Sequence, residues 1–219
     1  MPRRRSTTVQ QNNDPAELLE VFDALGQPTG RAKPRAAVHL DGDWHQAFHC
    51  WIVRPKRGEI VLQRRSLAKD TFAGAWDAAA AGHWRFGESP EQAAREIAEE
   101  LGLAVDFAAL RYRGRERLAR RFPNGLIDRE FHQVYVLACE RPLLEYRPDP
   151  REVIGLGAFS ARALLELAAG RRAELAAAEA VSVGPDGALE AAHVVITRAA
   201  LVPYSSARLR RLLQSGGHG

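Results

Sequence analysis

Between Gly82 and Leu103 the chain reads GHWRFGESPEQAAREIAEELGL, a glycine-punctuated loop running into a helix that carries three glutamates. Ser89 is placed to cap that helix, Pro90 suits its first position, Gln92 completes a capping box, and Gly102 can end it in a left-handed conformation. Ala94, Ile97, Ala98 and Leu101 recur at i, i+3, i+4 and i+7, which predicts a buried stripe. Gln92, Glu96, Glu99 and Glu100 then fall on the opposite side, so that core and chemistry are expected to use different faces.

Carboxylates at 96, 99 and 100 repel one another, and a helix selected for stability alone would place lysines among them. A bound cation removes the repulsion. Oxygen donors of this kind suit Mg²⁺ or Mn²⁺, which share their coordination between a few carboxylates, waters and substrate phosphates. A solvated acidic face is the alternative for any such helix taken alone.

The chain has 219 residues, 46% of them hydrophobic, enough for one well-cored domain. We expect residues 1–16, polar and basic, to form a disordered arm and residues 17–219 to form a single domain. The net charge of +4 is too balanced to argue for a nucleic-acid partner. No apolar run approaches the roughly 20 residues of a membrane span, and the N-terminus lacks the apolar segment of a secretory signal. A cytoplasmic location without membrane association is the expectation. Cys50 and Cys139 lie in apolar strand-like runs and read as buried thiols.

Along the chain, Glu17 to Asp23 and Arg31 to Arg35 read as a hairpin, followed by a short helix from Pro34 to Leu40. Trp44 to Arg54 and Glu59 to Arg65 read as core strands joined by a Lys56-Arg57-Gly58 turn. Trp76 to Ala81 reads as a small-residue strand. Leu110 to Phe122 alternates, with Arg111, Arg113, Arg115 and Arg117 on one face, either solvated or meeting phosphates. The Pro123-Asn124-Gly125 turn predicts return through a strand from Ile127 to Cys139. Ser160 to Ala169 reads as a helix, Arg172 to Ala180 as another, Val181 to Ile196 as a late hairpin, and Ser205 to Gln214 as a terminal helix. Strands and helices mix without regular alternation, which fits an α/β sandwich around a mixed sheet.

The stretch from Gly82 resembles the signature box of the Nudix hydrolases through Gly82, Glu88, Arg95, Glu96, Ile97, Glu99, Glu100, Gly102 and Leu103. Six residues separate Glu88 from Arg95, where the family pattern has seven. One residue fewer within a helix would rotate the remainder of that helix by about 100°, so the deletion is expected to be absorbed in the loop or first turn. The Glu88 to Arg95 contact is the one it endangers. The resemblance implies a Nudix-like α/β/α sandwich and Mg²⁺-dependent hydrolysis of a diphosphate joined to another moiety. It implies metal ligation by Glu96, Glu99 and Glu100, a bracing role for Arg95, and a ligand or base role for Glu88. Arg64, Arg65, Lys69 and Arg85 flank the site in sequence and are candidate phosphate clamps. The expected partner is a small-molecule diphosphate, and a homodimer is left open.

Within that superfamily, HLDGDWHQAFHCWIV, LQRRSLAKDTFAGAWD, AAAGH and GLIDREFHQVYV are similar to type I isopentenyl-diphosphate isomerases. That resemblance implies a second metal site at His39, His45, His83, Asp128 and Glu130. His49 and His132 match no ligand position and keep a structural reading. The isomerases carry a cysteine directly before the box glycine, where this chain has Ala81. Without an acid there, protonating an alkene lacks a donor, so isomerase-like activity stands as an alternative to hydrolysis. A ligand-binding protein with impaired turnover is a further one, motivated by the shortened box.

Overall fold

The computed structural model describes residues 17–214; the arm expected at 1–16 lies outside the described residues. The elements run β1 (Leu18–Phe22), β2 (Pro28–Pro34), α1 (Arg35–Asp41), β3 (Trp44–Arg54), β4 (Glu59–Arg65), β5 (Trp76–Asp77), β6 (Ala80–His83), α2 (Pro90–Ala93) and α3 (Arg95–Leu101). They continue β7 (Leu110–Arg121), β8 (Ile127–Ala138), β9 (Val153–Ser160), α4 (Ala161–Ala168), β10 (Glu174–Ala176), β11 (Glu179–Val183), β12 (Leu189–Ala191), β13 (Val195–Thr197) and α5 (Ser206–Gln214).

The main sheet follows the order β12-β11-β9-β4-β3-β1-β2, with β5 on β4, β6 on β3, and the β7–β8 hairpin attached through β8 to β3. β8 runs parallel to β3 from Trp44↔Arg129 to Val53↔Ala138, whereas the other pairings are antiparallel. Because strand side chains alternate, the sheet has two distinct apolar faces. Phe48, Cys50 and Ile52 of β3 join Ile97 and Leu101 of α3 on one face. Trp51, Ile60 and Leu62 join Leu164, Leu167, Leu209 and Leu212 of α4 and α5 on the other. Helices on both faces make the expected α/β/α sandwich around a mixed sheet.

Three expectations change. The alanine-rich stretch from Arg172 to Ala180 is not a helix: its residues form β10, which pairs with β13, and the start of β11, which pairs with β9. Strand pairing overrides the high helix propensity of its alanines. The strand expected from Trp76 to Ala81 breaks at Ala78 and Ala79, both fully buried, where the chain leaves β4 for β3. Only small side chains fit that crossing. The arginine row of β7 is neither simply solvated nor phosphate-facing, since Arg115 stacks over Phe131 and Arg117 over Trp44, at 4.8 and 4.3 Å from the ring centroids.

The box helix is capped as expected, with the reciprocal Ser89–Gln92 bonds formed and Gly102 at φ 64°. It is broken at Ala94, however, into α2 and α3. The break falls in the stretch where the sequence has one residue fewer than the family pattern.

Candidate active site

Strand β6 divides the candidate residues into two groups. In its pairing with β3, Ala81 lies opposite His49 and His83 opposite Ala47, while Gly82 lies opposite Phe48. Paired residues share a face, so Ala81 and His83 face the α5 side and Gly82 faces α3.

On the α3 side the buried arc of the helix is Ala93, Glu96, Ile97, Glu100 and Leu101, and Ala98 is exposed. Core and chemistry therefore share one face, against expectation. The two carboxylates tolerate burial because polar partners meet them there. Glu100 Oε2 accepts from the Ala81 backbone N–H at 2.9 Å and from Gln63 Nε2 at 3.0 Å, and Lys69 Nζ stands 3.9 Å from Oε1. Glu96 packs against Gly82, where any Cβ would run into its carboxylate. Arg95 binds three glutamates at once: Glu88 at 2.7 Å, Glu96 at 2.5 Å and Glu99 at 2.7 Å. The Glu88 contact thus survives the shortened spacing. Burial pushes Glu96 up to about 8 and Glu100 up to about 7.

On the α5 side the period of two brings His45 and His49 of β3, Asp128, Glu130 and His132 of β8, and His83 of β6 to one face, joined by His39 from α1. His45 pairs directly with Glu130 in the parallel register. All five residues of the implied second metal site come together. The rings of His39, His45 and His83 lie with centroids 4.9 to 5.2 Å apart, and the ligand atoms of this trio fall within 4.8 Å of one another. The same holds for His45, Asp128 and Glu130. His39 Nδ1 donates to the Arg35 carbonyl at 2.8 Å and His45 Nδ1 to the Asp43 carbonyl at 3.1 Å. His39 therefore presents an Nε2 lone pair, the tautomer a metal-ligating histidine takes, whereas His45 Nε2 faces Glu130 at 3.6 Å and Asp128 at 3.9 Å. Burial would lower the His45 pKa, but these carboxylates outweigh it and raise that pKa. His83 Nδ1 instead accepts from Arg35 Nε at 3.2 Å, which puts its proton on Nε2, 3.5 Å from Glu130.

His45 Nε2 and Asp128 Oδ1 are buried without hydrogen-bond partners. Burial depresses His39 to about 4 and raises Asp128 to about 7, the latter with help from the Glu130 charge. Burial also raises Glu130, but His132, His45 and His83 outweigh it and hold this carboxyl well below its usual range. A mixed set of imidazoles and carboxylates with unpartnered atoms fits a divalent cation such as Mn²⁺, Fe²⁺ or Zn²⁺.

The histidine set opens on a cavity of about 590 Å³. Arg65 and Lys69, two of the expected phosphate clamps, line it. The other two do not: Arg64 is exposed and donates to the Gly74 carbonyl at 3.3 Å, and Arg85 is turned to Glu17 at 2.6 Å. Sequence reasoning missed Arg35 and Arg120, which also line the cavity. It likewise missed His49 and His132, which stack at 3.7 Å on the cavity wall. His132 donates to Glu130 and accepts from Arg208 of α5. Strand parity with His45 and Glu130 was the available signal for both histidines.

A carboxylate-rich helix thus lies on one side of a mixed sheet, and a cavity lined by arginine, lysine, histidine and carboxylate side chains on the other. Residues 43–178 match the NUDIX domain model, and the chain belongs to this family. Its members act generally as hydrolases of pyrophosphate bonds and use divalent metals such as Mg²⁺. An uncharacterized Nudix hydrolase of Clostridium acetobutylicum is 37% identical over 143 residues, covering 64% of this chain and 68% of that one. An isopentenyl-diphosphate Delta-isomerase of Streptomyces griseus is 37% identical over 159 residues, covering 70% and 77%. A crystal structure of a Deinococcus radiodurans protein shares the fold, with a TM-score of 0.52 at 24% identity over 70% of this chain and 90% of that one. Among the described residues no helix is long and apolar enough to cross a membrane.

Proposed function

We propose that the chain hydrolyses a small molecule in which a diphosphate is joined to another moiety, using Mg²⁺ or Mn²⁺. The observation that carries the reading is a cavity ringed by Arg35, Arg65, Lys69 and Arg120, whose floor at Ala81 and Gly82 is backed directly by the box carboxylates. These four side chains supply N–H donors of the kind that bind phosphate oxygens.

Glu96, Glu99 and Glu100 would hold the metal, with Glu88 as a further ligand or base. The buried, unpartnered Oε1 of Glu100 fits such a donor set. His39, His45, His83, Asp128 and Glu130 would hold a second ion. A divalent cation held by these groups would neutralise charge on phosphate oxygens and polarise the phosphorus toward attack. Arg65 is held in place by Asp77 at 3.0 Å and by the Thr71 carbonyl and would turn its remaining N–H groups to a phosphate, while Lys69, ion-paired to Glu152, places a positive charge beside Glu100. Arg95 ties the Glu88 loop to the helix and spaces the carboxylates. Either Glu130, on the cavity wall, or a box glutamate takes the proton from the attacking water.

The test is release of monophosphate from nucleoside diphosphate derivatives and from thiamine, isoprenoid and sugar diphosphates. Glu99→Gln and Glu100→Gln should each lower turnover by about 10- to 100-fold or more; unchanged turnover in both would remove the box from the mechanism.

Isomerisation is a second reading, favoured by convergence of the histidine set. Against it, Ala81 lines the cavity where a proton donor would be needed, and neither Cys50 nor Cys139 lines it. Absence of solvent deuterium exchange into isopentenyl diphosphate would exclude it. Tight calorimetric binding of a diphosphate with no hydrolysis over hours in Mg²⁺ or Mn²⁺ would favour a binding protein.

A further inference from the structure

A second cavity, of about 290 Å³, lies on the same side of the sheet beneath α4 and α5. Its walls include Trp51, Leu62, Trp76, Leu164, Leu201 and Leu209, an apolar lining rich in aromatic surface. Trp51 is 1% exposed, and its Nε1 is buried with no hydrogen-bond partner. An orphaned indole N–H is costly in an apolar site, and an acceptor brought in by a ligand would relieve it.

The two cavities are neighbours. Asp77, Val202 and Tyr204 line both, and the Tyr204 hydroxyl donates to Asp77 across the boundary. A partition one side chain thick separates a cationic compartment from an apolar one.

We propose that the apolar cavity holds the non-phosphate moiety of the substrate, an apolar ring bearing one hydrogen-bond acceptor for Trp51 Nε1. Tyr204 is the side chain that must swing aside to join the compartments. This rests on the reading of the cationic cavity as a diphosphate site. Ring contacts suit the walls: Trp51 already meets Tyr204 edge to face at 5.1 Å, a geometry that accepts a further aromatic partner. The acceptor sets orientation, because a site with an unpaired donor discriminates against ligands that cannot satisfy it.

The experiment compares methyl diphosphate with 2-phenoxyethyl diphosphate, which adds a ring and an ether oxygen, each with a non-hydrolysable methylene bridge between its phosphorus atoms, by calorimetry in Mn²⁺. The phenoxyethyl compound should bind at least about tenfold tighter. Leu201→Trp, which fills the cavity from a partly exposed wall, should bring the ratio of the two Kd values toward one. Trp51→Phe keeps a ring but removes the donor and should reduce the ratio several-fold. Equal binding of both compounds to the wild type, or an unchanged ratio in both variants, would overturn the proposal. If neither diphosphate binds, the diphosphate reading itself fails, and 2-phenoxyethanol then probes the cavity alone. Binding lost in Leu201→Trp would keep the ring site and discard its link to a diphosphate; no binding would discard both.

Discussion

At Gly82 the fold and the chemistry make the same demand. The strand must pass close to α3, and the Glu96 carboxylate occupies the space a side chain would take. Gly82→Ala should therefore cost about 1–3 kcal/mol by overpacking and weaken Mn²⁺ binding, because the displaced carboxylate is a proposed ligand. Thermal melting and Mn²⁺ titration of the same variant check both effects. A melting temperature within error of wild type would show that Glu96 has room to move. Ala81, one residue earlier, points the other way into the cavity and offers no titratable group. Two neighbouring small residues thus serve opposite faces for different reasons.

Among the elements, the box helix depends most on its ends. Its first turn is held by the Ser89 hydroxyl and the Gln92 amide, and the break at Ala94 follows at once. Such a short segment has little propagation energy of its own, so its cap matters more than in a long helix. Ser89→Ala should cost about 1 kcal/mol, seen as a fall of roughly 2–4 °C in Tm for a domain of this size. Loss of the cap should also loosen the Glu88 loop, raising the metal concentration needed for half-saturation. A larger loss of stability without any change in metal binding would mean that the loop is held from elsewhere, as by Arg95. The β8 strand has a different character: Glu130 and His132 share its polar stretch, Val134 and Val136 its apolar one, and all four lie on one face. Site and core are successive segments of the same strand.

For the whole molecule, the buried carboxyls set the pH response. Glu96, Glu100 and Asp128 have folded-state pKa values above their unfolded ones, so each stabilises the metal-free protein at low pH and loses that contribution as pH rises through about 7 to 8. His39, His49 and His83 are depressed chiefly by burial, and they act in the opposite sense, but only below their unfolded value near 6.5. Between pH 6.5 and about 8 the carboxyls act without that opposition. The metal-free protein should lose roughly 3 kcal/mol over this window, and saturating Mn²⁺ should flatten or reverse the trend. At 100 times Kd the ion should add about 2.7 kcal/mol. Melting curves at several pH values, with and without Mn²⁺, measure it. A metal-free Tm that rises from pH 6.5 to 8 would contradict the assigned burial of Glu96 and Glu100.

Local rules read the elements of this chain well. The capped box helix, the Pro123-Asn124-Gly125 hairpin, the β3–β4 pair and the C-terminal helix follow from periodicity and turn chemistry that act within a few residues. The sequence by itself also determined which residues are chemically suited to a metal and a diphosphate, because that depends on donor type and on spacing along one element. The tertiary structure alone decided how those residues are distributed. A single strand, β6, sends Gly82 toward the box glutamates and Ala81 and His83 toward the histidines, and no property of GHWRFGESPEQAAREIAEELGL specifies what lies behind it. The burial of Glu96 and Glu100 was illegible for the same reason: it depends on Gln63, Lys69 and the Ala81 backbone, supplied by distant strands. His49 and His132 join the cavity through the parallel register of β3 and β8, Arg120 through the antiparallel pairing of β7 with β8, and Arg35 from the start of α1. Local sequence sets what each side chain can do, and long-range strand pairing sets what it does it to.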